Sequence, residues 1–319
     1  MSLGLLTACE GPQSALDPAG SDAETLADLF WIMLVGAVVL WLLVNGLAFF
    51  LTRVRPRAFS PKLGHALIIG GGVAFPTVVL AGLLSYAFTI MPEMRQPASD
   101  PNGVRLRVVG EQFWWRVFYE RPGEAPVVAA NEVRLPVGAR TEIALTSDEV
   151  IHSFWVPALA GKIDMFPGRE TWLSLEPVRA GTYRGQCAEL CGESHALMAF
   201  ATVAMEPDAF ADWLDREAAP ARLPETDAER AGERVFLSAG CGACHAVRGT
   251  EARGTFGPDL THVGGRETLG AGILPNDARA LRRWIAHTEE IKPGVSMPSY
   301  DHLDEAELVA LSAYLEGLR

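Results

Sequence analysis

Cysteine is scarce in this chain: there are five in 319 residues. Two pairs, Cys187/Cys191 and Cys241/Cys244, stand in short motifs with a histidine close behind, which leaves Cys9 alone and no spare pair for a structural disulfide. Basic residues are few as well. With 27 Lys and Arg against 39 Asp and Glu the formal net charge is −12, a balance that argues against nucleic acid as a partner and favours a basic one wherever the acids cluster. Charge is missing altogether from Leu29 to Leu51, and charge-free runs of that length are rare in the cores of soluble proteins. Nor do strands and helices alternate beyond residue 104, which excludes a parallel α/β sheet there.

At about 1.5 Å per residue the charge-free run crosses a hydrocarbon core of about 30 Å, and a second apolar run extends from Leu63 or Gly64 to Met91. Between them lie Arg53, Arg55, Arg57 and Lys62 with no acid, whereas residues 10–28 carry Glu10, Asp17, Asp22, Glu24 and Asp28 with no base. The positive-inside rule therefore puts the short loop in the cytoplasm, and the N-terminus and everything after residue 92 on the outer side. Pro76 and the Gly70-Gly71-Gly72 run are tolerated in a membrane helix where a neighbour packs closely, which points to a larger membrane partner. His65, near the cytoplasmic end, reads either as a solvated interfacial residue or as an aid to proton uptake by that partner. Leu5-Leu6-Thr7-Ala8-Cys9 has the pattern of a bacterial lipoprotein cleavage site, with Cys9 as the lipidated residue.

After a proline-bearing connector, residues 92–101, short β-rich segments follow at 104–109, 113–119, 132–137, 142–146, 171–175, 182–185 and 199–204, separated by Gly, Pro, Asn and Asp turns. Their spacing predicts a β-sandwich or barrel of about 100 residues. Residues 208–217 read as a short amphipathic helix and 218–224 as a proline-broken linker. Three further helices are expected, opened by Thr226 with Glu229, by Asp277, and by Asp304 with Glu307; the last carries Leu308, Leu311, Leu315 and Leu318 on one face.

Cys187-Ala-Glu-Leu-Cys191, with His195 and Met198, offers two thiolates, an imidazole and a thioether within a dozen residues, a soft donor set suited to copper. A further ligand is expected from an upstream strand, and His152 is placed to supply it. A mononuclear blue site needs one thiolate; two bridging thiolates with an imidazole on each side describe a dinuclear centre that shares one unpaired electron. A zinc loop and a Cys187–Cys191 disulfide are the alternatives. Cys241-Gly-Ala-Cys244-His245 is the covalent haem c signature, with thioethers at both cysteines and His245 as axial ligand. Met297, in Gly294-Val-Ser-Met297-Pro298, is the candidate second ligand, with His262, His287 and His302 as rivals.

Residues 28–206 resemble subunit II of the haem-copper cytochrome c oxidases, on the strength of His152-Ser153, the Pro167-Gly168-Arg169 turn and Gly185-Gln-Cys187-Ala-Glu-Leu-Cys191-Gly192 with His195 and Met198. Residues 228–319 are similar to class I cytochromes c through the haem motif, Gly257-Pro258-Asp259-Leu260 and the Met297 loop. The resemblance implies a multidomain membrane protein: an N-terminal segment (1–26), a two-helix transmembrane hairpin (27–92), an all-β cupredoxin-like sandwich (101–207), a linker (208–225) and an all-α cytochrome c domain (226–319). It implies a CuA pair on His152, Cys187, Cys191, His195 and Met198. Glu189 would give copper its backbone carbonyl and turn its carboxylate to a magnesium ion at the border with subunit I. The family's aromatic cluster, through which electrons arrive, reads Gln112-Phe113-Trp114-Trp115 here, with Phe113 where a tryptophan is usual, so Trp114 and Trp115 are the candidates for that role. The implied function is a relay from a soluble or membrane-bound cytochrome c through haem c and CuA to haem a in subunit I, in a proton-pumping oxidase of a bacterial inner membrane that also has subunit III. A CuA subunit of a nitric oxide reductase and a copper carrier are the alternative readings.

Overall fold

In a computed structural model the described residues are 9–54, 60–92, 94 and 104–319. They form two compact units: Glu24–Gln96 is one, and the other described residues make up the second. Arg55 and Arg57 of the inter-span loop, residues 5–8 ahead of Cys9, and most of the 92–101 connector lie outside the described residues.

Helix α1 (Ser21–Phe49) continues through a π-helical turn at Phe50–Val54, giving 34 helical residues. The second run is α2 (Pro61–Ala66), a π-helical stretch Leu67–Ala74 that takes in the three glycines, and α3 (Phe75–Ile90), 30 residues together. Pro76 stands where the π-helical stretch passes into α3, inside the continuous second run, and membrane helices accommodate such a missing N–H by local π adjustment. In the most apolar stretch of each run no side chain is buried. Apolar helices exposed on every face need lipid or a partner around them.

The second unit begins with a sandwich. Strands β1 (Arg105–Glu111), β2 (Trp114–Glu120), β3 (Val127–Ala130), β5 (Thr141–Ser147) and β8 (Thr171–Leu175) form one sheet in the order β3-β2-β1-β5-β8. The other, β4-β10-β9-β6-β7, comprises β4 (Glu132–Pro136), β6 (His152–Trp155), β7 (Ile163–Met165), β9 (Gly181–Cys187) and β10 (Ala199–Met205). Alternate residues of β1 and β2 are buried, as a sheet packed on one face requires, and Leu106, Val108, Trp115, Val117, Leu135, Leu145, Phe154 and Phe200 fill the space between the sheets. Three of the ten strands were not expected from sequence. β3 ends in two alanines, β6 opens on His-Ser and β7 has three residues, so pairing with neighbours rather than local preference makes them strands.

The segment before Ala23 is stitched to the sandwich through Ala19 N–H to Ala158 O (2.7 Å), Val178 N–H to Ala19 O (2.8 Å) and Arg184 N–H to Pro12 O (2.8 Å). Arg140 holds it: the guanidinium pairs with the buried Asp22 carboxylate at 2.9 Å and with Glu176 at 3.0 Å, and donates to Ser21 Oγ and Ser174 Oγ. Arg140→Met would leave the buried Asp22 carboxylate without its partner. A loss of about 3–5 kcal/mol is expected, read as a lower unfolding midpoint, whereas the Asp22→Asn/Arg140→Met pair should recover part of it.

The helical remainder has α4 (Pro207–Ala218), α5 (Asp227–Ser238), α6 (Ala278–Ala286), α7 (Thr288–Ile291) and α8 (Glu305–Gly317). Both capping boxes form, Thr226 with Glu229 and Asp304 with Glu307, and the Asp277 carboxylate accepts from Ala280 N–H. Helices α5 and α8 cross at Gly232, where a Cβ would run into the Ala310 carbonyl; only glycine lets the backbones meet there. A two-stranded hairpin, β11 (Thr268–Leu269) and β12 (Leu274–Pro275), was not expected; its turn Gly270-Ala271-Gly272 is left-handed throughout, with φ of 62°, 65° and 81°.

Candidate copper and haem sites

Strand β9 ends on Cys187 and β10 begins at Ala199, so residues 188–198 form the loop between two paired strands. Cys187 N–H to Met198 O (2.9 Å) and His195 N–H to Gly192 O (3.1 Å) fold that loop back on itself, and Ala188 N–H to Ser153 O (3.0 Å) ties it to β6. Strand β6 lies antiparallel to β9 with Phe154 opposite Cys187, which brings His152, the first residue of β6, alongside the loop.

The donor atoms converge. Cys187 Sγ stands 3.7 Å from His152 Nδ1 and 3.2 Å from Glu189 O; Cys191 Sγ stands 3.7 Å from His195 Nδ1 and 3.8 Å from Met198 Sδ; the two sulfurs are 3.9 Å apart. That separation is far above the roughly 2.05 Å of a disulfide, and both cysteines are free. His152, fully buried, turns Nδ1 to the sulfur, and its Nε2 has no protein partner. His152, Cys187 and Cys191 offer ligand atoms that all lie within 4.8 Å of one another. The neighbouring Cys191 thiol, and after it His152, hold Cys187 below the ordinary thiol range against the opposing effect of burial, and the same contact pushes Cys191 up. Two sulfurs that can share charge, with an imidazole on each side and a thioether and a carbonyl at the rim, fit a pair of soft metal ions.

His245 Nδ1 lies 2.7 Å from Pro258 O, and a carbonyl can only accept, so the proton is on Nδ1 and the Nε2 lone pair is free for a metal. Burial draws the imidazole below its ordinary range, partly offset by that carbonyl, which keeps it neutral near pH 7. The Gly257 backbone lies against the ring so closely that a Cβ there would sit 2.6 Å from Cε1. Cys241 is half-buried, Cys244 is exposed, and neither is in a disulfide. Leu260, Trp284, Met297, Tyr300 and Leu303 stand half-covered against the core of Phe236, Leu281, Leu308 and Leu311, an apolar cradle that fits a porphyrin. The rival histidines are engaged elsewhere: His262 Nε2 with Ala219 O at 3.0 Å, exposed His287 beside Glu290, and exposed His302 against the Tyr300 ring.

The model of the cytochrome c oxidase subunit II periplasmic domain matches residues 120–205, and that of cytochrome c matches residues 229–319. Cytochrome c oxidase subunit 2 of Alkalihalophilus pseudofirmus is 34% identical over 326 aligned positions, spanning 98% of this chain and 94% of that protein. The chain belongs to the cytochrome c oxidase subunit 2 family. The Bacillus sp. (strain PS3) subunit 2 is 31% identical over 77% of this chain and 70% of its own length. A crystal structure of the periplasmic domain of subunit II of the Bradyrhizobium japonicum cytochrome oxidase aligns with 39% of this chain and 96% of that one, at 29% identity and a TM-score of 0.35. As a subunit 2 with a periplasmic domain and two apolar helices, the chain is membrane-anchored with its folded part outside; its family implies a copper centre, and its C-terminal domain a haem c.

The aromatic residues of this subunit 2 chain separate by face. Trp115 is 1% exposed, packed edge-on against Phe154 (5.8 Å) and Phe200 (5.1 Å), with its ring 6.0 Å from that of His152. Trp114 is half-buried under the Arg116 guanidinium at 4.7 Å, and Arg116 donates to the carbonyls of Thr255 and Phe256, next to the Gly257 that supports His245. Phe113 is buried against Gly192, whose φ of 135° and lack of a Cβ admit the ring, and a Cβ built on Gly294 would lie 3.4 Å from that same ring. Phe113 thus lies between the 188–198 loop and the Met297 segment, a position no local pattern reveals. Ser194, Lys292 and Arg184 were also invisible from sequence. Ser194 Oγ donates to Pro293 O (2.6 Å), Lys292 Nζ to Gly270 O (2.8 Å) and Arg184 Nη1 to Gly272 O (2.8 Å). Burial draws the Lys292 ammonium down to about 7, opposed by the pull of Cys191. Cys9 is exposed and His65 sits beside the Pro61 carbonyl at 3.3 Å.

Proposed function

We propose that this chain is the electron-accepting subunit of a bacterial proton-pumping cytochrome c oxidase, taking electrons from a soluble or membrane-bound cytochrome c and passing them to haem a in subunit I, where dioxygen is reduced to water. A CuA pair on His152, Cys187, the Glu189 carbonyl, Cys191, His195 and Met198, and a haem c on Cys241, Cys244, His245 and Met297, would supply one-electron chemistry. The observation that carries the reading is the convergence of four donor atoms around the paired Cys187 and Cys191 sulfurs.

The protein's part is to hold these donors in place. The β6–β9 pairing carries His152, and the 188–198 loop carries the rest, so strand register and the loop's hydrogen bonds would hold the ligand set together. On the haem side the Pro258 carbonyl fixes the His245 tautomer. Phe113, between the two sites, and Trp114, beside Arg116, are the aromatic groups through which electrons would cross or arrive; Trp115, inside the sandwich, would pack behind His152. The Glu189 carboxylate, half-buried, would face a magnesium ion at the border with subunit I; subunit III and a lipid on Cys9 complete the assembly, seated in the inner membrane.

Electron paramagnetic resonance with optical spectra on the copper-loaded, haem-matured full chain tests this reading. Hyperfine structure from two equivalent copper nuclei together with a low-spin haem c is expected. A single-copper four-line signal, or a chain that retains no copper, overturns it.

A further inference from the structure

The haem domain grips, at two points, the loop that in the reading above carries the copper ligands. Pro293 O accepts from Ser194 Oγ at 2.6 Å, one residue before His195. Lys292 Nζ donates to Gly270 O at 2.8 Å, and the next residue, Ala271, accepts through its carbonyl from Ala199 N–H at 2.9 Å, one residue after Met198. The ties close a circuit, Ser194 to Pro293, Lys292 to Gly270, Ala271 to Ala199, that brackets residues 195–198 on both sides.

Lys292 is the cross-member. It is 1% exposed, just past the end of α7, with its main-chain N–H still bonded to Thr288 O at 2.9 Å. Filling that space would be done more cheaply by an apolar side chain, since burying an ammonium costs several kcal/mol unless the group is held by a partner. What the ammonium adds is a charge-assisted bond joining the segment that leads to Met297 with the β11–β12 turn. Beyond it Val295 packs against the sandwich core and Gly294 lies at Phe113.

We infer that Lys292 is a positioning residue that clamps the haem domain onto the 192–199 loop, so that the two sites form one fixed pair and transfer between them does not wait for docking. This rests on the relay reading above. A tether alone would raise the local concentration of a mobile donor; a clamp removes the search altogether, and the share of chains in the competent arrangement then stays near unity.

The test uses the full chain with Lys292→Met, which keeps the stem's bulk without the donor, and separately Ser194→Ala. Hydrogen exchange at the Ala199 amide, measured with and without cofactors, is expected to speed up roughly tenfold in Lys292→Met, the effect of losing one hydrogen bond to a charged group. After photoreduction of the haem, electron arrival at copper should slow by a similar factor and become dependent on solvent viscosity, while both optical spectra stay where they were. Ser194→Ala should act in the same direction. Unchanged Ala199 exchange, or a transfer rate that stays fast and indifferent to viscosity in both variants, overturns the clamp. No transfer in the unsubstituted chain would instead bring down the relay, and the exchange measurement still decides whether Lys292 clamps.

Discussion

A Cys191→Ser chain should lose the two-copper signal outright and retain at most one copper. Cys191 Sγ is the atom within 4 Å of Cys187 Sγ, His195 Nδ1 and Met198 Sδ, so its removal takes away both the bridge and the centre of the second half-site. A serine hydroxyl is a hard, high-pKa donor that does not bridge soft ions as a thiolate does. What remains, Cys187 with His152 Nδ1 and Glu189 O, is a ligand set for a single ion. Loss of an outer-shell partner alone typically costs 10–100-fold in metal affinity or activity, so oxidase turnover with cytochrome c is expected to drop by more than about a hundredfold. The haem c spectrum should be unaffected, because Cys241, which opens the haem motif, packs against a core cluster separate from that of Cys187 and Cys191. Resonance spectra that keep equal coupling to two copper nuclei would exclude Cys191 as a bridge.

Met297→Leu is the second large expectation. The cradle around Met297 is apolar, and leucine fits it in size and polarity, so the helices should stand while the sulfur lone pair disappears. Methionine opposite histidine raises a haem potential. A fall on the order of 0.2 V, a quarter of the roughly 0.8 V that axial ligation spans, shifts a one-electron equilibrium by about three decades at about 59 mV per decade. Electrons would then leave a haem of lower potential readily but enter it poorly from the donor, so turnover with cytochrome c should fall steeply while an artificial low-potential reductant restores much of it. A Met297→Leu chain with unaltered potential and unaltered low-spin spectrum would move the ligand to His302, exposed beside Tyr300, or to His262 or His287.

The two sites were legible in the sequence to different depths, for a physical reason. Metal and haem ligands cluster in short motifs because a loop must deliver several donors within a few ångströms, and a run such as Cys187-Ala-Glu-Leu-Cys191 with His195 and Met198 does so with little help from distant chain. The long apolar runs were legible because nothing but lipid tolerates helices of that length with no buried face. The capping boxes at Thr226 and Asp304 were readable because they involve neighbours three residues apart.

Less of the sandwich could be read. Strands β3, β6 and β7 have no pattern of their own and exist because a neighbouring edge supplies their hydrogen bonds. The Arg140–Asp22 pair joins residues 118 apart and leaves no local trace.

By itself, then, the sequence pointed to the membrane anchoring, to a sandwich followed by a haem domain, and to the donor atoms proposed for each site, all readings of short-range spacing and of composition along single segments. Only the tertiary structure decided that Phe113 stands between the two sites, that Trp115 belongs to the core while Trp114 lies under Arg116, and that Lys292 is buried where two loops of the haem domain meet residues 192–199. Apart from Trp114 under Arg116, those rest on contacts between segments about 20 to 180 residues apart. They follow from shape and from the need of every buried polar group for a partner, and neither can be read from a residue and its neighbours in the chain.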